Sequence, residues 1–487
     1  MQFDSETRMK ITFLIPPSYE NHEPAERSAG CTRVVYIAPN IYELTAAAIL
    51  EQSGRDTVCY HDSVYARESV DDFRRFLRAD DSDLYLLWSV NLSIETDVAV
   101  ARDIFSLHPQ ARVILLGPGA TYFARKCLVD ERIIVVRGEP DATLPELIEA
   151  LRVGGELDAV RGISFLKEGE LKSNPSRPLL KDLDALPFPA RHLVADHVYH
   201  NPKLKLTPYT TMFTSRNCPY HCIYCVPSSL TFAREIEYKR EHGRKPPIAF
   251  RSVESVGREL AQLAAQGFKA VGFMDDNFIW NEERTRGICA ELVKHGMAWG
   301  CEARVDAITE PIARLLGESN CCYVDLGVES FDDAILSYVK KGIKSADIYR
   351  AIDLLKKYGV PVKLNILIGS SPLETRQTVL HTLREAKRLR VDQVMFNIVS
   401  PFPGTEYYKL CKENGWLTTP DYVPTDVQRN SILNLPQITA HEMEQLLFRN
   451  NLSFFLSPRF VFHHVRKFRS VGEFVHAFKA LKTKLFG

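Results

Sequence analysis

Cys218-Pro219-Tyr220-His221-Cys222-Ile223-Tyr224-Cys225 decides how this chain is read. Three thiols lie within eight residues, separated by three residues and then by two. The run before them, residues 207–215, is rich in small and β-branched side chains and predicts a strand of a packed parallel sheet. A loop this tight can direct three sulfurs at three irons of a cubane and leave the fourth iron without a protein ligand. Structural zinc sites use paired CxxC units and a fourth ligand, and no Cys or His is suitably spaced downstream to supply one. A disulfide needs an oxidising compartment, which nothing in the N-terminal residues predicts.

The Cx3CxxC loop, with Tyr224 just before its last cysteine, resembles the signature of the radical S-adenosylmethionine (SAM) superfamily. The resemblance implies a [4Fe–4S] cluster on Cys218, Cys222 and Cys225, with SAM chelated by the open iron and cleaved to a 5′-deoxyadenosyl radical. It also implies a partial (β/α)6 barrel. Strands at residues 270–274, 300–303, 323–327, 362–368 and 393–399, with helical spacing between them, supply five of the six, and the run before the cysteines supplies the other. Polar residues stand at the strand ends. By the same resemblance Tyr224, Asp275, Asp276, Glu302, Arg304, Glu329 and Gly369 contact SAM: Asp275 or Asp276 its ammonium, Glu302 the ribose, Arg304 the carboxylate, Glu329 the sulfonium or the substrate, and Gly369 the adenine. Each acid alone reads equally well as a solvated group or a helix cap. Residues 234–245, polar and basic, read as a mobile flap over this site.

Upstream, five strand–helix repeats occupy residues 10–151, with continuous apolar strands such as Lys10-Ile11-Thr12-Phe13-Leu14-Ile15. They predict a doubly wound parallel sheet, which binds ligands at the carboxyl ends of its strands. Ser89, Gly117, Gly119, Thr121, Gly138 and Glu139 fall there. The order of elements, the Gly117-Pro118-Gly119-Ala120-Thr121 loop and the run from Val135 to Leu147 resemble the cobalamin-binding domain that precedes many radical SAM barrels. That resemblance adds Asp62 to these six as cobalamin contacts. Many such domains carry DxHxxG here, whose His ligates cobalt. This chain reads Asp62-Ser63-Val64-Tyr65-Ala66-Arg67, with Val64 in the ligand's place. The expectation is base-off cobalamin without a His ligand, and His61 as a structural residue.

The fold class expected is therefore α/β: a Rossmann-like cobalamin-binding domain (1–155), a hairpin and proline-rich linker (156–200) that spaces the cofactors, a partial (β/α)6 radical SAM core (201–415) and a helical C-terminal region (416–487). The composition is that of an ordinary enzyme, 45% hydrophobic and 25% charged. Lys and Arg number 61 against 61 acids, which argues against nucleic acid as a main partner. Eleven cysteines, several in apolar runs, predict a reducing cytoplasm. No run approaches the roughly 20 apolar residues of a membrane span. From Arg459 onward seven Lys or Arg and six Phe interleave with one acid, Glu473. That pattern suits either a helix resting on an anionic membrane surface or one packing its Phe stripe on the barrel.

The activity the resemblance implies is methyl transfer from methylcobalamin to an unactivated carbon. The alternative is an oxidative ring closure with the same cofactors, as in the anaerobic tetrapyrrole cyclases. A small-molecule substrate, with lipid and tetrapyrrole both open, and a flavodoxin or ferredoxin as electron donor complete the expected partners.

Overall fold

In the computed structural model, residues 8–20, 22–34, 36–204, 206–389, 391–423 and 425–457 are described. The basic, Phe-rich stretch from Arg459 lies outside them.

The first sheet has seven strands: β1 (Lys10–Ile15), β2 (Thr57–Asp62), β3 (Leu84–Trp88), β4 (Arg112–Leu116), β5 (Ile133–Val136), β6 (Ile163–Lys167) and β7 (Glu170–Ser173), ordered β2-β1-β3-β4-β5-β6-β7. The first five are parallel, and β6 and β7 add an antiparallel hairpin at the edge. Between them run α1 (Ile41–Glu51), α2 (Ser63–Ala66), α3 (Val70–Ala79), α4 (Ile94–Leu107), α5 (Gly117–Tyr122), α6 (Ala124–Cys127) and α7 (Thr143–Arg152). Every residue of β3 and β5 is buried, because helices cover both faces. One core unites α1 and α7 with Phe13, Leu86 and Ile134; the other unites α3 and α4 with Leu14, Tyr85 and Ile133. The chain leaves β1 toward β2 on one side and returns to β3 on the other. The crevice this reversal opens at the carboxyl edge is where such sheets take ligands.

The second sheet is ordered β15-β14-β13-β12-β11-β8. Its strands are β8 (Tyr209–Met212), β11 (Ala270–Phe273), β12 (Ala298–Arg304), β13 (Cys321–Glu329), β14 (Val362–Ile368) and β15 (Gln393–Ile398); a short ribbon joins β9 (Ser215–Arg216) to β10 (Ala249–Phe250). The strand expected at 207–215 is thus β8 followed by the start of this ribbon. The helices are α8 (Ser229–His242), α9 (Val253–Ala265), α10 (Glu282–Lys294), α11 (Glu310–Glu318), α12 (Asp333–Tyr338), α13 (Ser345–Lys357), α14 (Arg376–Arg388), α15 (Glu406–Glu413) and α16 (Ala440–Phe455). This is the partial (β/α)6 barrel.

The chain packs as two compact units. The first comprises residues 1–220, 225–303 and 310–324, and the second residues 221–224, 304–309 and 325–487. Within the first, Phe213 and Leu230 belong to the same core as β1, α1 and α7. The flap expected at 234–245 is corrected: most of it is the second half of α8, and Arg234 is 1% exposed. Arg234 and Glu237 pair with Glu139 and Arg137, distant in sequence, and are buried, whereas residues 240–244 are exposed, so only the first part of this stretch belongs to an internal ion-pair layer.

Candidate active site: the cysteine loop and two carboxyl edges

Residues 217–228 form no helix or strand, and Cys218, Cys222 and Cys225 are half-buried thiols outside any disulfide. The loop's root is fixed in the first unit. Arg216 Nη1 donates to Asp141 Oδ2 (2.7 Å) and Glu139 Oε1 (3.0 Å), and Asn217, at φ +79°, accepts from Arg234 Nη1 (2.6 Å). Lys245 Nζ holds the Tyr220 carbonyl at 2.8 Å. Burial works to lower the Lys245 pKa, but Glu235 and the Cys225 and Cys218 sulfurs outweigh it and raise it. In the second unit the Ile223 amide donates to Val339 O and its carbonyl accepts from Tyr407 N (3.2 and 2.9 Å). Lys341 behaves as Lys245 does: burial lowers its pKa, and Glu329 and Cys222 more than offset that. Reduced thiols beside half-buried Lys245 and buried Lys341 suit an anionic iron–sulfur cluster. Among the described residues no three His, Cys, Asp or Glu are gathered as a ready metal site. The fit rests on the donor set, and ligand binding would then order the loop.

At the strand ends of the first unit, Asp275 is 2% exposed and accepts from Thr214 N, Thr214 Oγ1 and Ser215 Oγ (3.0, 2.6 and 2.5 Å). These bonds make it a brace between β11 and the segment leading to the cysteines. Asp276 accepts from Ser228 N at 2.7 Å, just beyond the loop, and burial pushes its carboxyl up to about 6. The Glu302 side chain is exposed at the end of β12, while its carbonyl accepts from Phe278 N.

In the second unit, Arg304 pairs with Asp306 (2.9 Å) and donates to the Lys341 carbonyl (2.7 Å); Lys341 Nζ lies 2.7 Å from Glu329 Oε1. Arg304 and Glu329, both expected at SAM, thus meet through Lys341, which the sequence reading missed. The Gly369 and Ser370 amides donate to the two oxygens of Glu374, another missed residue, and Tyr407 Oη donates to Gly369 O (2.7, 2.9 and 2.5 Å). Gly369 has φ +85° and faces Met443 Sδ, which a Cβ would meet at 2.7 Å. Tyr224 is buried at 8% exposure.

At the carboxyl edge of the first sheet a partly open cavity is bounded by Ile15, Arg27, Tyr36, Asn40, Asp62 and Val64 among others. Asp62 accepts from Tyr65 N (2.8 Å) as the cap of α2, and burial pushes it up to about 6. Asn40 Nδ2, Ser89 Oγ and both amide atoms of Asn91 are buried without a hydrogen-bond partner. Buried polar atoms are ordinarily satisfied, so orphans clustered at a ligand-binding edge fit a bound polar group. Asn40 was legible as a helix cap, whereas nothing local marks Asn91. Gly117, Thr121 and Gly138 instead hold one another, Thr121 Oγ1 donating to Gly117 O and accepting from Gly138 N (2.7 and 3.1 Å), and Gly119 lies against the Val90 backbone. Glu139 is spent on Arg216 and Arg234. His61 is held by Glu68 at 2.9 Å and stacks on Phe76 at 3.6 Å.

The model of the Radical SAM superfamily matches residues 212–386, from the end of β8 through the cysteine loop into α14. Residues 212–386 are therefore a radical SAM domain. The chain is 28% identical over 463 residues, 93% of both proteins, to an uncharacterized methyltransferase of Pyrococcus horikoshii. It is 23% identical over 407 residues to the anaerobic magnesium-protoporphyrin IX monomethyl ester cyclase of Rubrivivax gelatinosus, covering 77% of this chain and 69% of that protein. Among solved structures it resembles OxsB, a cobalamin-dependent SAM radical enzyme described with aqua-cobalamin and SAM bound. The TM-score is 0.71 at 15% identity, over 98% of this chain and 72% of OxsB. At that identity the likeness is one of fold, and it covers the Rossmann-like domain as well as the radical SAM barrel. No helix among the described residues is long and apolar enough to cross a membrane.

Proposed function

We propose that this protein is a cobalamin-dependent radical SAM C-methyltransferase, with residues 1–155 as the corrinoid-binding domain, 156–200 as linker, 201–415 as the radical SAM core and 416–487 as a C-terminal region. The observation that carries the reading is the cavity at the carboxyl edge of the first sheet, with Asn40, Ser89 and Asn91 orphaned at that edge, in a chain that also holds the three-thiol loop. When bound, the cluster with SAM would supply a carbon-centred radical, and cobalamin the methyl group.

The residues' parts follow from their surroundings. Cys218, Cys222 and Cys225 would hold the cluster, and Lys245 and Lys341 would offset its negative charge. Asp275 and Asp276 position the segments on either side of the loop. Glu329, Arg304, Glu302 and Tyr224 remain the side chains for SAM, and Gly369 offers its backbone to the adenine. Asp62 borders the corrinoid cavity. Val64, also in its wall, has no donor for cobalt, which supports base-off binding without a His ligand. Electrons would come from a flavodoxin- or ferredoxin-type donor. Eleven cysteines, none in a disulfide, suit a reducing cytoplasm.

The test is anaerobic reconstitution with iron, sulfide and cobalamin, followed by SAM carrying a deuterated methyl group and a strong reductant. Release of 5′-deoxyadenosine and transfer of the deuterated methyl to a product are expected. Cys222→Ala should abolish SAM cleavage and leave corrinoid binding intact; retained cleavage would refute the cluster assignment. The cyclase relative favours a second reading, ring closure without methyl transfer, and an unlabelled product lighter than its precursor would establish that instead.

A further inference from the structure

In the second unit β14 and β15 alternate without a break. Val362, Leu364, Ile366, Ile368, Val394, Phe396 and Ile398 are buried on one face, where Phe396 meets Phe454 of α16 edge-on at 6.4 Å. The other face, turned from the helices, is half-buried throughout and carries Lys363, Asn365 and Leu367 beside Gln393, Met395 and Asn397. From β13, Asp325 reaches Lys363 Nζ at 2.8 Å, and Glu329 reaches Lys341.

A barrel interior that serves only stability is filled by bulky branched side chains. This one is polar and partly open, and Gly327 keeps room in it: a Cβ there would stand 2.8 Å from Lys341 Nζ and 3.0 Å from Glu329 Oε1. Glu329 and Lys341 sit at the carboxyl end, where SAM is expected. Asp325 lies four residues back along β13, about 13 Å deeper at the rise of a strand, so its pair with Lys363 is too deep to serve SAM. Lys363 is the more exposed partner, at 12% against 3%, and spends one of its three donors on Asp325. Across the same face Asn397 Oδ1 is buried with no partner.

We propose that this face seats the substrate, and that the substrate is a water-soluble molecule with an anionic group met by Lys363 and a hydrogen-bond donor met by Asn397. The inference rests on the methyltransferase reading and narrows its substrate. A hydrocarbon lipid would desolvate Lys363, Asn365 and Asn397 and return no hydrogen bonds, which is unfavourable for each of them.

The full-length protein, reconstituted with cluster and cobalamin, is given deuterated-methyl SAM and, separately, the aqueous and the chloroform-soluble fractions of an extract of its source cells. The deuterated methyl is expected in an anionic product of the aqueous fraction. Lys363→Met combined with Asp325→Leu, so that neither charge is left unpaired, should raise KM for that precursor roughly 10–100-fold, the scale of one lost charge-assisted hydrogen bond, with kcat falling less than KM rises. Asn397→Leu, which alters no charge, should raise KM in the same sense. Label confined to a chloroform-soluble product, or an unchanged KM in both variants, would overturn the proposal. A wild-type protein that releases no 5′-deoxyadenosine would refute the methyltransferase reading itself, a result distinct from either.

Discussion

Arg216 and Asp141 are joined by two hydrogen bonds, Nη1 to Oδ2 at 2.7 Å and Nη2 to Oδ1 at 3.1 Å, with side chains only 2% and 6% exposed. The pair ties the residue two before Cys218 to the segment after β5, and Arg216 also stacks on Phe213. A bidentate guanidinium–carboxylate pair fixes orientation as well as distance.

Arg216→Met should therefore do more than remove a charge, because it leaves Asp141 buried and unpaired. A loss of about 3–5 kcal/mol in stability is expected, together with lower iron content after reconstitution. Urea unfolding and iron analysis check both, and full cluster loading in a destabilised variant would show that the loop needs no such root.

Glu374 carries a pH dependence. Burial pushes its carboxyl from 4.5 up to about 7, against the opposing hydrogen bonds from Gly369 and Ser370. The raised value means that the protonated acid contributes fully below about pH 4.5 and that this contribution is lost as pH rises through about 7, roughly 3 kcal/mol in all. Glu374→Gln should remove that slope. Stability measured at pH 5 and pH 8 should then differ less in the variant than in the wild type, and equal differences would contradict the assignment.

Gly119 is required by packing. A Cβ there would lie 2.6 Å from the Val90 carbonyl carbon and 2.7 Å from its oxygen. Gly119→Ala must push α5 off this backbone, at about 1–3 kcal/mol, and should lower both the melting temperature and the uptake of cobalamin. An unchanged melting temperature would show that α5 shifts freely.

His61 is occupied by Glu68 and Phe76 and should not reach cobalt. His61→Ala should leave the EPR spectrum of the cobalamin-loaded protein unaltered, with no axial nitrogen coupling before or after. A coupling that disappears on substitution would make His61 the ligand.

What one sequence could disclose, and what it could not, divides along chain distance. The thiol spacing of Cys218, Cys222 and Cys225 and the apolar strands from Lys10 to Val136 are local patterns, and they disclosed the radical SAM domain and the order of the sheet-forming units. The roles of Asp275, Glu139 and Lys341 are not local. Asp275 takes its hydrogen bonds from residues some 60 positions away, Glu139 meets an arginine 77 positions on, and Lys341 joins Arg304 to Glu329 across 37 and 12. A carboxylate at a strand end looks the same in a sequence whether it awaits a ligand or braces a loop. The cost of burying its charge forces a choice of partner, and only the folded chain supplies one.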